Sequence, residues 1–210
     1  LNHISMSLTK GKLPVYFTPE EKPYGLSYGQ WTVKWWQWLV SIPIENNPAA
    51  DETGENAGVN QSNSNVWFLA GTFGGKAAER KCKVPAGKSI LFPVINYEMN
   101  PLEKPELKTE SQLTQHVMED IDDIITLEAT INGQGIPIYR VRSDPIIFPL
   151  RIAKNNPFQV IDGGTTQATS DGYWAFLKFL TVGEYKIYFA ASCSAGSRNV
   201  KTNYNLTVTN

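Results

Sequence analysis

The chain has 210 residues, 41% of them hydrophobic and 11% aromatic, which is enough apolar material for a sizeable core. Its 19 basic and 20 acidic residues give a net charge of −1 and form no basic run, which argues against nucleic acid or an anionic membrane as a partner. The longest apolar runs are far too short for a membrane span.

The chain opens with an alternating pattern that predicts a strand, part of an N-terminal strand arm over residues 1–17. Apolar and hydroxyl side chains alternate in this segment: the apolar ones are Ile4, Met6 and Leu8, and the hydroxyl ones are Ser5, Ser7 and Thr9. The apolar face must be buried, and two alternatives stay open. The strand pairs at the edge of its own sheet, or it enters a second copy and builds a homo-oligomer or fibre by strand addition.

A tryptophan-rich segment predicts the first helix, over about residues 27–42. Ser27 and Gln30 have the spacing of a capping box at its start. Pro43 follows and ends the helix, because a proline cannot continue the hydrogen-bond pattern.

Four indole side chains surround most of this helix: Trp31, Trp35, Trp36 and Trp38. A helix that is apolar on nearly all sides is buried, so we expect Trp31, Trp35 and Trp38 to pack in the core. The alternative is a surface on which sugar rings stack, which would leave Trp35 or Trp36 at a groove.

The rest of the chain has mostly the pattern of short strands. A polar loop over residues 46–65 precedes the apolar runs VWFLAGTFGG and KCKVPAGKSILFPVINYE, which predict buried strands. A second, amphipathic helix is predicted over about 110–125, and Asn132-Gly133 predicts the turn of a hairpin. A loop rich in glycine and threonine then separates the hairpin from three closing strands, DGYWAFLKFL, GEYKIYFAAS and NYNLTVTN.

This succession of elements predicts a mainly β fold. Roughly eight or more short strands with two inserted α-helices are typical of a β-sandwich or a jelly roll. An α+β arrangement is the alternative.

Several blocks resemble those of an uncharacterised group of bacterial and archaeal proteins. They are YGLSYGQWTVKWWQWLVSIP, VWFLAGTFGG, CKVPAGKSILFPVIN and DGYWAFLKFLTVGEYKIYFAAS. The resemblance covers most of residues 24–208 and implies one integral domain over 1–210, without implying an activity. The last block also resembles the closing strands of immunoglobulin-like extracellular modules.

The two cysteines, Cys82 and Cys193, lie in strand-like sequence and have no cysteine or histidine nearby, so a zinc site is not expected. Two alternatives stay open for them. They form a long-range disulfide in an oxidising compartment, or they are two buried thiols in a reducing one.

The end of the second helix is acidic, and its carboxylates oppose the helix dipole unless a cation lies against them. Asp120 and Asp123 are therefore weak candidates for a calcium site, although nothing matches an EF-hand loop. A solvated acidic face is the simpler interpretation, and no metal or other cofactor is expected.

Polar residues end the third apolar run in the sequence INYEMNP. Asn96 and Glu98 lie on one side of an extended chain, at a point where ligand-binding residues often occur. Glu98 is the one candidate catalytic residue, because apolar surroundings would raise its pKa toward general-acid use. A purely structural role at a sheet edge is the alternative.

The segment IPIYRVRSD contains two arginines that are two positions apart. Arg140 and Arg142 share a strand face and would grip a carboxylate or phosphate ligand. The alternatives are a solvent-facing pair, or partners for the acidic helix.

These features favour a noncatalytic binding or assembly module, extracellular or at the cell surface, over an enzyme; a cytoplasmic location is the alternative. Its ligand would be a carbohydrate or other small molecule held by Trp35, Trp36, Asn96, Glu98, Arg140 and Arg142. The competing function is a small jelly-roll hydrolase or lyase in which Glu98 acts with Arg140 or Arg142.

Overall fold

The computed structural model describes residues 11–196 and 198–210, so the strand predicted over residues 4–9 lies outside the described residues. The fold is mainly β: two sheets, formed by ten strands, pack as a β-sandwich with two α-helices. This confirms the predicted fold class.

The elements follow one another along the chain in this order: α1 (Tyr28–Val40), β1 (Val66–Phe68), β2 (Ala78–Pro85), β3 (Ser89–Met99), α2 (Glu110–Asp122), β4 (Ile124–Ile131), β5 (Gln134–Gly135), β6 (Tyr139–Arg140), β7 (Phe148–Ile152), β8 (Gly164–Leu177), β9 (Gly183–Cys193) and β10 (Val200–Thr209). Two short 3-10 segments, Pro23–Gly25 and Ile44–Asn46, flank α1.

Strand order determines which strand edges are covered. The first sheet has the order β1-β3-β8-β6, and β7 also pairs with β8. The second sheet has the order β2-β10-β9-β4-β5. The pairs β1 with β3 and β2 with β10 are parallel, and the other pairs are antiparallel.

The first sheet is buried on both faces, which gives the molecule three layers. Along β8, Trp174 and Phe176 belong to the core beneath α1, whereas Ala175 and Leu177 belong to the core between the two sheets. This division follows from the alternation of side chains along a strand. It also explains why β3 is an almost continuous apolar run.

Helix α1 covers the first sheet with its indoles. The predicted capping box at Ser27 and Gln30 is present. Trp31, Trp35 and Trp38 are 4%, 2% and 7% exposed, which confirms that they are core residues. Each donates its Nε1–H to a backbone carbonyl, so their burial leaves no indole donor unpaired.

Two predictions about secondary structure were wrong, one on the end of a helix and one on a segment predicted as a loop. Helix α2 ends at Asp122 rather than near 125, because Ile124 to Ile131 pair with β9 as β4. The glycine- and threonine-rich segment before DGYW is strand rather than loop, since it pairs with β7 as the first half of β8. In the described residues, neither helix is long and apolar enough to cross a membrane.

A disulfide between Cys82 and Cys193 is excluded by strand register, and both cysteines are free and buried. Cys82 lies opposite Leu206, which lies opposite Tyr185 on β9. Tyr185 is eight residues before Cys193, a separation of about 26 Å along an extended strand, far beyond the reach of a disulfide.

Candidate functional site

The site begins with a free strand edge on β3. Strand β1 pairs only with its first three residues, Ser89 to Leu91, and then diverges. From Pro93 to Met99, β3 is paired with β8 on one side. Along its other side, no described segment forms a ladder with these residues.

The backbone groups of Asn96 and Glu98 point toward this free edge. Their partners on β8 are Gly172 and Ser170, whose carbonyl oxygens accept hydrogen bonds from Val141 and Ser143 on the far side of β8. In an antiparallel pair, residues that direct their backbone groups outward lie opposite each other. The N–H and C=O of Asn96 and Glu98 therefore face away from β8.

A cavity of about 290 Å³ runs along this edge, and all residues from 93 to 99 line it. Trp35, Trp36 and Leu39 of α1 form one wall, and the loop 71–74 after β1 forms another. Its volume lies near the lower end of the range for small-molecule sites.

Aromatic side chains lie in the two loops that border the cavity. Phe73 and Phe158 pack edge to face with ring centroids 5.8 Å apart. Phe73 is 41% exposed, so this pair joins the cavity lining to solvent. An apolar part of a ligand would contact these rings.

Two buried N–H donors in the cavity lining lack acceptors. Trp36 is 5% exposed, and its Nε1–H has no hydrogen-bond partner among the residues that the structure describes. The side-chain nitrogen of Asn96 is likewise buried and unpaired within that part of the chain. Buried donors are nearly always satisfied in native proteins, so these two mark a place for an acceptor.

A pair of carboxyl groups, Glu98 and Glu103, also lines the cavity. The side-chain amide of Asn100 donates to Glu98 Oε2 over 3.1 Å and to the carboxylate of Glu103. Burial, a hydrogen bond with Glu103 and repulsion from its charge raise the pKa of Glu98 well above its ordinary value. Burial also raises the pKa of Glu103. Both carboxyl groups therefore keep their protons to a higher pH than a free glutamate, and the protons belong to the pair rather than to either residue.

Arg198 lines the cavity and binds the acidic end of α2. Its guanidinium lies 5.0 Å from the ring centroid of Tyr97 and forms ion pairs of 2.7 and 2.8 Å with Asp120 and Asp123. This cation offsets the unfavourable interaction of the carboxylates with the helix dipole. Asp120 and Asp123, the two weak candidates for a calcium site, are thus each paired with Arg198.

The two arginines predicted to grip a ligand lie elsewhere. Arg140 is paired with the buried Asp171 over 2.7 Å and with Asp122 of α2 over 2.6 Å. Asp171 shares the face of β8 that meets the second sheet, whereas Glu98 lies opposite Ser170 on the α1 face. Arg142 is exposed and does not line the cavity.

Four of the six predicted ligand-binding residues therefore line one cavity: Trp35, Trp36, Asn96 and Glu98. Ligand binding by these four stays a prediction. Sequence reasoning missed Glu103 and Arg198. The signal available for Glu103 was its position just beyond the Asn100-Pro101 turn, which brings the chain back toward Glu98.

No family model matches this chain, and no curated protein matches it. Among solved structures, the chain is similar to the solution structure of amebosin, with a TM-score of 0.22 and 10% sequence identity. The match covers 67% of this chain and 96% of that chain. A TM-score this low does not show a shared fold, so the function has to be argued from the site itself.

Proposed function

We propose that the protein is a noncatalytic binding module and that the cavity at the free edge of β3 is its ligand site. The observation that carries this proposal is the buried Nε1–H of Trp36 in the cavity lining, which has no hydrogen-bond partner in the described part of the chain. An unsatisfied buried donor costs about 1–3 kcal/mol. A ligand that presents an acceptor to Trp36 removes this cost on binding.

The polar groups of the cavity define the ligand chemistry. Trp36 and Asn96 offer donors, and the carboxylate of Glu103 offers an acceptor. Among the described residues, Arg198 is the one cation of the lining, and two aspartates already neutralise it. The ligand therefore carries no negative charge, and it has both acceptors and donors, with an apolar part for the aromatic walls. Neutral saccharides and peptide groups both fit this description.

One observation favours catalysis as the second candidate. Burial raises the pKa of Glu98 well above its ordinary value, which favours the protonated form that a general acid needs. The hydrolase or lyase would then use Glu98 with Glu103 in place of Arg140 or Arg142. A Glu98→Gln variant separates the two functions, because it would abolish turnover of a bound compound while binding is retained.

Binding is testable with the tryptophans of the cavity as reporters. Neutral disaccharides and N-acetylated dipeptide amides are titrated against the full chain while tryptophan fluorescence is recorded. At least one class of probe is expected to shift the emission with saturable binding. The Trp36→Phe variant keeps an aromatic ring but loses the N–H, and we expect its affinity to fall about 3- to 10-fold.

Trp67 provides the matched control. Its indole N–H is also buried, yet Trp67 does not line the cavity. The Trp67→Phe variant should therefore bind as the unmodified chain does. Equal loss of affinity in both variants, or no binding by either class of probe, would contradict the proposal. Mass spectrometry of the bound probe for cleavage products tests the second candidate in the same samples.

A further inference from the structure

We infer that the ligand of this cavity carries a primary ammonium group, bound by the carboxyl pair of Glu98 and Glu103, beside an oxygen that accepts from Trp36. This inference rests on the proposed function and makes its ligand class specific. Two kinds of molecule share this chemistry. An amino sugar has hydroxyl oxygens next to its ammonium group, and the amino end of a peptide has a carbonyl oxygen next to it.

Asn100 holds the two carboxyl groups together at the end of β3. This side chain is fully buried, and its amide donates hydrogen bonds to the carboxyl groups of both Glu98 and Glu103. Its Oδ1 accepts the backbone N–H groups of Leu102 and Glu103, which fixes the turn after β3. The carboxyl pair is therefore a preorganised part of the cavity lining.

The pair has no cation bound to it within the part of the chain that the structure describes. No lysine or arginine there forms an ion pair with Glu98 or Glu103. Burial disfavours the ionised form of both groups and raises the pKa of each, and repulsion from Glu103 adds to the effect at Glu98. A positive charge on the ligand would offset this cost, because buried carboxylates are stabilised by a paired cation.

The carboxyl pair lies on the same side of the cavity as two indole rings. Glu98 is opposite Ser170 of β8, four positions before Trp174, which belongs to the core beneath α1. Side chains alternate along a strand and paired residues share a face, so Glu98 points toward α1. Trp35 and Trp36 line the cavity from that helix, with perpendicular rings whose centroids are 5.0 Å apart. Tryptophan rings attract organic cations, because their faces carry partial negative charge.

The donors of the lining require an acceptor on the same ligand. The Nε1–H of Trp36 and the side-chain nitrogen of Asn96 are buried and have no partner among the described residues. An ammonium group cannot accept a hydrogen bond, so the ligand also needs a hydroxyl or carbonyl oxygen. A simple alkylamine lacks one. The volume of about 290 Å³ limits the ligand to a small molecule or to the end of a longer one.

The other charged and titratable groups around the cavity do not oppose a cation. The titratable side chains of the described lining are Tyr97, Glu98, Glu103 and Arg198, and α1 and the loop 71–74 contribute none. The charge of Arg198 is offset by its two aspartates. Burial raises the pKa of Tyr97 above its ordinary value of 10.0, so it stays neutral. Lys104 lowers the pKa of Glu103 through its charge but does not line the cavity.

Binding of an ammonium ion should therefore release protons from the carboxyl pair. The pair keeps its protons to a higher pH than a free glutamate, whereas a bound cation favours the ionised form. Protons thus compete with the ligand, and binding should tighten as the pH rises. We expect the release of up to about one proton per bound molecule. Calorimetric titration in two buffers that differ in ionisation enthalpy measures this number on the unmodified chain.

Matched amines and amides test the ligand class on the full chain, with tryptophan fluorescence as the readout. Glucosamine is compared with N-acetylglucosamine, and alaninamide with N-acetylalaninamide, since acetylation keeps the acceptors and removes the charge. In at least one of these comparisons, the amine should bind at least about 10-fold more tightly at about pH 7. The preference should shrink toward about pH 5, although both amines stay protonated over this range. The comparison that shows the preference distinguishes an amino sugar from the amino end of a peptide.

A double variant, Glu98→Gln with Glu103→Gln, tests whether the carboxyl pair is the binding group. It keeps the shape of both side chains and cannot ionise. It should bind the acetylated probes as the unmodified chain does and should lose the preference for the amines. Glu106→Gln is the control, because Glu106 is exposed in the same loop and does not line the cavity. The comparison of the two pH values on the unmodified chain covers the case in which the double variant does not fold.

The outcomes separate this inference from the proposed function. Equal binding of the amine and the acetylated form in both comparisons would overturn the inference and leave the proposed function standing, because neutral probes still bind. A preference that persists in the double variant, or that is the same at both pH values, would also overturn it. Absence of binding by the amines, their acetylated forms and the neutral disaccharides would contradict the proposed function itself.

Discussion

Arg80 donates a hydrogen bond of 2.8 Å to the hydroxyl oxygen of Tyr204 in the interior of the protein, where both side chains are 1% exposed. The guanidinium also donates to the carbonyl oxygens of Asp51, Ala70 and Gly71. It thereby ties the long polar loop and the loop after β1 to the second sheet. Gly71 lines the cavity, so the hydrogen bond from Arg80 helps to fix the position of the loop that forms one cavity wall.

The Arg80→Met variant is expected to lower the free energy of unfolding by about 3 kcal/mol, because several buried carbonyl groups lose a charged donor at once. Urea denaturation measures the change. Lys81→Met is the control on the same strand, because Lys81 is exposed, and it should stay within about 0.5 kcal/mol of the unmodified chain. Similar stabilities of the two variants would mean that Arg80 does not hold these loops.

The raised pKa of Glu98 predicts how stability depends on pH. Between the ordinary pKa of glutamate, about 4.3, and the higher value in the folded state, the folded chain binds more protons than the unfolded chain. The free energy of unfolding should therefore fall as the pH rises above about 4.3 toward the higher pKa of the folded state. Glu98→Gln mimics the protonated side chain and should reduce this fall.

Denaturation at a series of pH values compares Glu98→Gln with Glu128→Gln, in which an exposed glutamate of β4 is changed. The Glu128 variant should keep the pH dependence of the unmodified chain. If Glu98→Gln leaves the slope unchanged, the raised pKa of Glu98 in the folded protein is contradicted.

Gly172 allows β3 and β8 to approach closely beside the cavity. A Cβ atom at this position would lie 2.6 Å from Asn96 Cβ and 2.8 Å from Asn96 Cα. Gly172→Ala should therefore displace β3 and lower the free energy of unfolding by about 1–3 kcal/mol, with weaker binding of any cavity ligand. Gly135→Ala is the control, because nothing lies within 4 Å of its added Cβ. A fully stable Gly172→Ala variant would show that the strands are less closely packed than described.

Both cysteines should be free thiols in the purified protein. Burial raises the pKa of the Cys82 thiol to about 12, so little reactive thiolate forms at neutral pH. Alkylation with iodoacetamide in denaturant and without reductant should add two groups per chain by mass spectrometry. Under native conditions, labelling of Cys82 should be much slower. A denatured, unreduced chain that takes up no label would contradict the strand register that separates Cys82 from Cys193.

Local sequence signals predicted the local features correctly. The predicted capping box forms at Ser27, and the structure has a second one at Thr109, because each involves residues only three positions apart. The turn at Asn132-Gly133 forms with positive φ angles at both residues, as their side chains allow. The burial of the tryptophan helix followed from its composition, since an isolated apolar helix has no stable place in water.

The sequence by itself thus determined the class of fold, the capped starts of both helices and the polarity pattern of the strands, because these depend on neighbours a few residues away. Tertiary structure decided the rest. Among the described residues, strand order left the edge of β3 open, brought Glu103 to Glu98, and assigned Arg140 to Asp171 on the other side of the sheet. Register across β2, β10 and β9 separated the cysteines. These contacts and separations involve residues that are far apart in the chain. They are set only when whole strands pair in the order and register that bury their apolar faces.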